Sequence, residues 1–301
     1  MNDFAPEIRN AAWWATDSRR AIKGGLIDVL REKKGLAEIE VVDSEAAAMG
    51  KRMQPTILKL AEEQIGARVR EMDSFAICRS EPWLRAHTDG MIGECNALVE
   101  AKNYHFTKMN KFSAPDEIMR IPPEDEVQCL HEAAVFNVSR VYLAVIFGGQ
   151  AFRMFTLDFS AERREEFIKT AATWWAYTKT GDMPDPLTPA QAATLYSADN
   201  GETVQANREI EGYCQALRQL KAQIDVLEGQ EKSITTVIEA YMRESAVLVD
   251  AGGYTLATWK KAKDSTGFDR DLFKSQMPDL YQKFMISKLG SRRFLLKEGN
   301  K

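Results

Sequence analysis

Two acidic residues and a lysine form the pattern D-G-x(9)-E-A-K, which runs from Asp89 through Glu100 to Lys102. Side chains on a β-strand alternate between its two faces, so Glu100 and Lys102, two residues apart, point to the same side. A bend at Asp89-Gly90 would bring the aspartate beside them. The spacing therefore predicts that two carboxylates and an ammonium group converge.

This group of side chains suits phosphate chemistry assisted by Mg²⁺. The ion binds through one or two carboxylates and keeps its other positions for water and phosphate. It polarises the phosphate and acidifies water, while a lysine can stabilise charge that develops in the transition state. Asp, Glu and Lys are common residues, however, and on the pattern alone a solvated surface strand is the favoured interpretation.

The surroundings of the pattern favour the catalytic interpretation. A predicted helix with the sequence GKRMQP at 50–55 precedes it, and a predicted helix with EVQ at 126–128 follows it. Over roughly residues 14–177 this combination resembles the YqaJ-like viral recombinase family. These are phage-type exonucleases, lambda exonuclease among them, within the PD-(D/E)XK nuclease superfamily.

The resemblance implies roles for particular residues of this chain. Asp89 and Glu100 would bind the metal, and the backbone carbonyl of Ala101 could add a ligand. Lys102 would serve the attacking nucleophile. Gln54 stands where the family usually carries a glutamate, so an amide oxygen would replace a carboxylate there, which puts a two-metal mechanism in doubt.

Gln128 and several basic residues complete the implied site. Gln128 matches the second glutamine of the family's Q-x-Q motif and is expected to be catalytic, whereas Glu126 departs from the first. Arg19 and Arg20 lie where the family places a basic residue that faces the DNA terminus, although two solvated helix arginines are nearly as good an interpretation. The C-terminal residues expected to bind DNA are Lys260, Lys261, Arg292 and Arg293.

The expected activity is Mg²⁺-dependent hydrolysis of DNA, with Mn²⁺ able to substitute. The resemblance implies 5′-to-3′ resection of linear duplex DNA for phage-type single-strand annealing recombination. It also implies three kinds of partner: duplex DNA ends, a single-strand annealing protein and further copies of the chain in a ring-shaped homo-oligomer. Two alternatives stay open: a RecB-like or restriction-like endonuclease, and a non-catalytic DNA-binding accessory protein in which Gln54 marks a decayed centre.

The elements that must position these residues are predicted from periodicity and turn residues. Together they indicate a mixed α/β fold, a restriction-endonuclease-like core sheet with flanking helices. The predicted order is two short helices within 10–30, a helix over 44–66, an antiparallel meander over 69–102, a helix over 124–138, a strand pair at 141–147 and 152–157, and a helix over 161–179.

Four segments are predicted along the chain: a nuclease domain at 1–180, a linker at 181–205, a long helix or helical hairpin at 206–250, and a small basic module at 251–301. In the third segment, apolar residues recur at alternating steps of three and four from Ile210 to Tyr241. This pattern fits a helix that packs on its own catalytic domain and fits a coiled coil between subunits equally well.

The charge of the chain is unevenly distributed along the sequence. The net charge is −4, yet residues 255–301 hold eleven Lys or Arg and five Asp or Glu, which gives this segment +6. Four scattered cysteines predict reduced thiols rather than a zinc or iron–sulfur site. The sequence has no apolar run long enough for a bilayer and no readable secretion signal, so a cytoplasmic location and no membrane partner are expected.

Overall fold

The fold is described from a computed structural model, which covers residues 6–38, 45–72, 74–114, 117–287 and 290–297. The chain divides into two compact units, Met1–Ala192 and Ala193–Lys301. Among the residues described, no helix combines the length and the apolar character needed to cross a bilayer.

A five-stranded mixed sheet forms the centre of the first unit, in the order β2-β5-β6-β7-β8. Its strands are β2 (Val69–Glu71), β5 (Gly90–Ile92), β6 (Ala97–Tyr104), β7 (Arg140–Phe147) and β8 (Ala151–Asp158). β6 pairs antiparallel with β5 and parallel with β7. The predicted pair β7–β8 is confirmed, and positive φ angles at Gly148 and Gly149 close its turn.

Helices cover both faces of this sheet, which confirms the predicted mixed α/β class. They are α1 (Pro6–Asn10), α2 (Ala15–Arg20), α3 (Leu26–Lys33), α4 (Glu45–Ile65), α5 (Pro123–Phe136) and α6 (Ala161–Ala176), followed by the short α7 (Pro189–Leu195) within the predicted linker. Ile57, Leu58 and Ala61 of α4 pack against Val99 and Ala144 on one face. The larger core, which contains Leu98 and Leu143, joins the other face to α5 and α6.

The predicted single meander over 69–102 is wrong. β3 (Ala76–Ile77) and β4 (Leu84–Ala86) leave the central sheet and form a separate small sheet with β1 (Trp13–Trp14). The two tryptophans were predicted to be helical, but they pair in parallel with Leu84 and Arg85. Both are almost completely buried, so they are core residues.

The second unit contains one long helix, α8 (Arg208–Met242), and a two-stranded antiparallel sheet of β9 (Val247–Val249) and β10 (Thr255–Thr258). Two short helices follow, α9 (Arg270–Gln276) and α10 (Pro278–Lys283). Asn207 caps α8, since its side chain accepts a hydrogen bond from the backbone N–H of Ile210. The 35 residues of α8 are continuous through Gly229, so the segment is a long helix and not a hairpin.

Candidate active site

β6 brings Glu100 and Lys102 to the same face of the sheet, as the alternation of strand residues predicts. Both side chains reach Gln128 on α5. The Lys102 ammonium lies 2.5 Å from Oε1 of Glu100. Glu100 is 4% exposed, so this ion pair sits at the edge of the core and not on a solvated strand.

Asp89 immediately precedes β5, the strand beside β6. Its Oδ2 accepts a hydrogen bond of 2.8 Å from the backbone N–H of Ala101, which lies between Glu100 and Lys102. The chain bends at Asp89, as predicted, and the following residue, Gly90, starts β5. A Cβ at position 90 would stand 2.6 Å from Cγ1 of Val69, so the missing side chain lets the strands approach and fixes Asp89 at the site.

The amide of Gln128 connects the charged groups. Its Oε1 accepts a hydrogen bond of 2.9 Å from Lys102. Its Nε2 donates to Oε1 of Glu100 at 2.5 Å and to Oε1 of Glu132 at 3.1 Å. Gln128 is 5% exposed, so the position of this amide orients the carboxylate and the ammonium together.

Asp89, Glu100 and Glu132 share one ammonium group, that of Lys102, so the site resists the ionisation of all three carboxyl groups at once. Burial and the neighbouring Glu100 raise the pKa of Asp89 to about 8, although Lys102 and the Ala101 amide lower it. Burial and Glu100 also raise the pKa of Glu132 well above its ordinary value. Burial lowers the pKa of Lys102, but Glu100, Tyr104 and Asp89 raise it by more, so the lysine stays an ammonium. The site therefore favours an added cation.

Sequence reasoning missed Glu132, which is fully buried on α5. Its Oε2 has no hydrogen-bond partner among the described residues. The sequence did carry a signal for Glu132. Asp125 lies three residues before Gln128 and Glu132 lies four residues after it, so the three polar side chains share one face of α5. A polar stripe on the buried face of a helix indicates a site.

Arg19 lies beside this group. Its guanidinium donates to Oδ1 of Asp125 and to the hydroxyl of Tyr104, each at 3.0 Å. The Tyr104 hydroxyl in turn donates to Asp125 at 2.7 Å. Arg20, by contrast, is held in a bidentate ion pair with Glu32, with both distances 2.7 Å, so the prediction that both arginines face the same terminus has no support in the geometry.

A cleft of about 620 Å³ joins these side chains. It is lined by every residue predicted for catalysis or metal binding, Gln54 and Ala101 included, and by Arg19 and Glu132. Glu126 lies apart from it in an exposed ion pair with Arg163. The remaining predicted DNA contacts, from Lys260 to Arg293, belong to the second unit.

His131 fixes α2, which carries Arg19, against α5. The Trp13 indole donates to the Ser18 hydroxyl at 2.9 Å, and that hydroxyl lies 2.8 Å from Nδ1 of His131. Nε2 of His131 lies 3.0 Å from the Arg85 carbonyl. A carbonyl only accepts, so Nε2 carries a proton. Burial favours the neutral imidazole, in which Nδ1 accepts from the Ser18 hydroxyl, and the ring connects three elements.

We expect acid to destabilise the fold through His131. Burial lowers the pKa of this imidazole to about 3, although its bond to Arg85 raises it. A depressed pKa means that the stability contribution is complete above the unfolded value of about 6.5 and is lost as the pH falls. The free energy of unfolding should drop by up to about 1.4 kcal/mol per pH unit below pH 6.

Denaturant unfolding between pH 7 and pH 4.5 measures this effect. His131→Asn removes the titrating group, so the variant should show a shallower pH slope than the unchanged chain, whatever its absolute stability. Parallel slopes would rule out His131 as the source.

The chain is similar in structure to an alkaline exonuclease from Laribacter hongkongensis, with 12% identity and a TM-score of 0.45 over 57% of this chain and 90% of that one. It is also similar to a phage-related exonuclease from Haemophilus somnus 129PT, with 8% identity and a TM-score of 0.40 over 50% and 80%. No curated protein sequence matches the chain.

A family model matches the part of the first unit that carries the cleft. The matched residues, 16–139, extend from α2 to the end of α5 and include Arg19, Asp89, Glu100, Lys102 and Gln128. Over this segment the chain matches the family model described as a YqaJ-like viral recombinase domain.

Proposed function

We propose that this protein is a Mg²⁺-dependent DNA exonuclease that resects one strand of linear duplex DNA from its 5′ end. The observation that carries the proposal is the convergence of Asp89, Glu100 and Lys102 in one cleft. A matching family model and two structural relatives described as exonucleases agree with it. The direction of resection rests on the family resemblance and on the position of Arg19.

The residues of the cleft fit a divalent cation. Asp89 and Glu100 supply hard oxygen donors, and Oε2 of Glu132, which has no hydrogen-bond partner among the described residues, is a further oxygen atom lining the same cleft. Within the described parts of the chain, no three His, Cys, Asp or Glu side chains are arranged to hold a metal. The ion would therefore need water, phosphate or a backbone oxygen such as that of Ala101 to complete its shell, which is the preference of Mg²⁺.

A cation bound there supplies positive charge that polarises a phosphodiester and favours deprotonation of the attacking water. The chain's own residues then have separate tasks. Lys102 keeps a permanent positive charge in the cleft, where it can stabilise charge that develops on the phosphate. Gln128 holds Lys102 and Glu100 in register through its two amide atoms, and so limits the reorganisation that the reaction requires.

We expect Gln54→Glu to tighten Mg²⁺ binding. Gln54 lines the cleft on α4 at the position where a carboxylate would add one negative charge. A gain of roughly three- to tenfold in affinity is expected for one added carboxylate near a divalent ion. Calorimetric titration with Mg²⁺ tests it, with Gln64→Glu on the same helix as the control. Equal affinities for both variants would place Gln54 outside the metal's ligands.

Arg19 is the residue we propose for the 5′-phosphate. It lines the same cleft, and its planar guanidinium can bind two phosphate oxygens at once. Asp125 and Tyr104 hold the guanidinium from one side, which pre-orients it. Arg20 is left to the ion pair with Glu32.

Three DNA substrates test the proposed specificity. Linear duplex with a 5′-phosphate should be degraded faster than the same duplex with a 5′-hydroxyl, and closed circular duplex should stay intact. Arg19→Gln should remove the preference for the phosphate. Cleavage of closed circles would favour the endonuclease alternative, and intact DNA in all three cases would favour the non-catalytic accessory protein.

The basic residues of the second unit are proposed to bind the DNA backbone. Lys261 lies 3.2 Å from Asp264 with both side chains exposed, and Arg292 donates to the carbonyls of Tyr196 and Ala198. Residues 255–301 carry a charge of +6 in a chain whose net charge is −4. The positive side chains of this segment repel one another, and binding to a polyanion such as DNA relieves that repulsion.

We expect Lys260→Ser with Arg293→Ser to weaken DNA binding and to flatten its salt dependence. Each lost phosphate contact on duplex DNA lowers the slope of log affinity against log salt by roughly 0.9. Affinity measured at several salt concentrations tests this, and Arg208→Ser with Lys232→Ser on α8 is the control. Slopes that match the unchanged chain would leave a protein-docking role for these residues.

The proposed physiological partners are duplex DNA ends and a single-strand annealing protein, with a ring of identical subunits around the DNA. These partners follow from the family resemblance, and co-purification with a candidate annealing protein is the test for that partner.

A further inference from the structure

α8 exposes an apolar stripe along its whole length. Its residues recur in a heptad pattern at positions a and d, which we call the heptad face: Ile210, Tyr213, Leu217, Leu220, Ile224, Leu227, Glu231, Ile234, Ile238 and Tyr241. Apart from Glu231, these side chains are apolar or aromatic, and all of those but Leu217 are at least 38% exposed. Exposed apolar surface of this extent marks an interaction site.

The spacing identifies the kind of partner. Steps of three and four, sustained over four heptads, are the repeat by which one α-helix packs knobs into the holes of another. A globular groove needs only a short apolar patch, whereas this stripe extends over 32 residues, or about 47 Å at the rise of an α-helix. The heptad face therefore fits a second helix of similar length and pattern.

The charges beside the stripe are complementary to a second copy of the same helix in the opposite direction. Lys221 and Glu228 both occupy e positions. When Ile224 packs against Leu227 of an antiparallel second copy, Lys221 of each helix lies opposite Glu228 of the other, which makes two equivalent ion pairs around one twofold axis.

The parallel arrangement lacks this complementarity. There the e positions meet g positions, so Lys221 would face Ala216 and Glu228 would face Gln223. Glu231, at an a position, would also lie against Glu231 of the other copy, and like charges in a seam destabilise it. Charge thus separates the two orientations.

We propose that two copies of this chain associate through the heptad face of α8 as an antiparallel coiled coil. The pairing belongs to the second unit and does not depend on the nuclease activity proposed for the first.

Sedimentation equilibrium of the full-length chain tests the interface. Leu220→Lys with Ile224→Lys should halve the mass of the assembly, because two buried charges per helix break the seam. The matched control, Gln215→Lys with Ala222→Lys, adds the same charge on the outward face and should keep the mass. If the first unit also forms a ring of subunits, the variant Leu220→Lys with Ile224→Lys should still halve the mass of the whole assembly. A monomeric unchanged chain, or equal masses for the seam variant and the unchanged chain, would overturn the proposal.

A charge swap tests the orientation with variants that leave the apolar seam intact. Lys221→Glu and Glu228→Lys should each weaken dimerisation by roughly five- to tenfold, since two ion pairs become two repulsions. The double variant should restore the affinity to within about twofold, a coupling that only facing residues produce. A double variant as weak as the product of the two single changes would overturn the antiparallel pairing, and circular dichroism confirms that each variant keeps its helix.

Discussion

Lys102→Ala is expected to slow DNA cleavage by roughly 10²- to 10³-fold, the usual loss when one group that stabilises transition-state charge is removed. The lysine contacts Glu100 and Gln128 inside the cleft. We propose that its charge acts mainly on the reacting phosphate, so affinity for duplex DNA should change little. Single-turnover cleavage and a binding measurement in Ca²⁺ separate the two effects.

Lys169→Ala, on the exposed face of α6, is the matched control and should behave like the unchanged chain. Cleavage by Lys102→Ala at near the normal rate would remove Lys102 from the chemistry. A large loss of DNA binding with a normal single-turnover rate would instead make it a residue that anchors the substrate.

Asp89→Asn is expected to lower Mg²⁺ affinity by at least tenfold and to abolish most cleavage. Even residues that only support metal ligands typically contribute 10- to 100-fold to affinity, and Asp89 is proposed to contact the ion directly. Because burial and Glu100 raise the pKa of Asp89 to about 8, the metal-free variant should unfold at no lower temperature than the unchanged chain at pH 8. The raised pKa means that the ionised carboxylate costs stability above the unfolded pKa near 4.

Calorimetry with Mg²⁺ and thermal unfolding without it provide the two readouts, and Asp28→Asn on the exposed side of α3 is the control. Lower stability together with unchanged Mg²⁺ affinity would assign Asp89 a structural task, the anchoring of the Ala101 amide, and would contradict the metal site.

Local pattern predicts the part of the site that lies within one strand. Glu100 and Lys102 share a face of β6 because alternation is a property of any strand. The predicted bend at Asp89 is confirmed, and it brings the aspartate beside them. Gly90 starts β5 because its missing side chain makes room for Val69 and Leu58, and these contacts depend on the fold and not on neighbouring residues.

Contacts between distant segments are what the sequence could not supply. β1 is a two-residue strand whose partners, Leu84 and Arg85, lie about seventy residues away. Nothing in the local sequence of Trp13 and Trp14 distinguishes this strand from a helix start. Glu132 was missed for a related reason: its spacing from Gln128 is visible in the sequence, but its hydrogen bond to Gln128 beside β6 is a contact that only the fold shows.

The long helix shows the opposite case. Its repeat of apolar residues continues past Gly229 at the same spacing, and the helix does the same. One glycine costs about 1 kcal/mol in a helix interior, which is small beside the rest of a 35-residue element.

The central claim is that Asp89, Glu100 and Lys102 form a cation-dependent nuclease centre. The most direct measurement is the release of nucleotides from 5′-phosphorylated linear duplex DNA by the purified full-length chain, with Mg²⁺ and with EDTA, beside Lys102→Ala. We expect release with Mg²⁺, none with EDTA and almost none from the variant. Undegraded DNA with Mg²⁺, or equal release by the chain and its Lys102→Ala variant, would contradict the account.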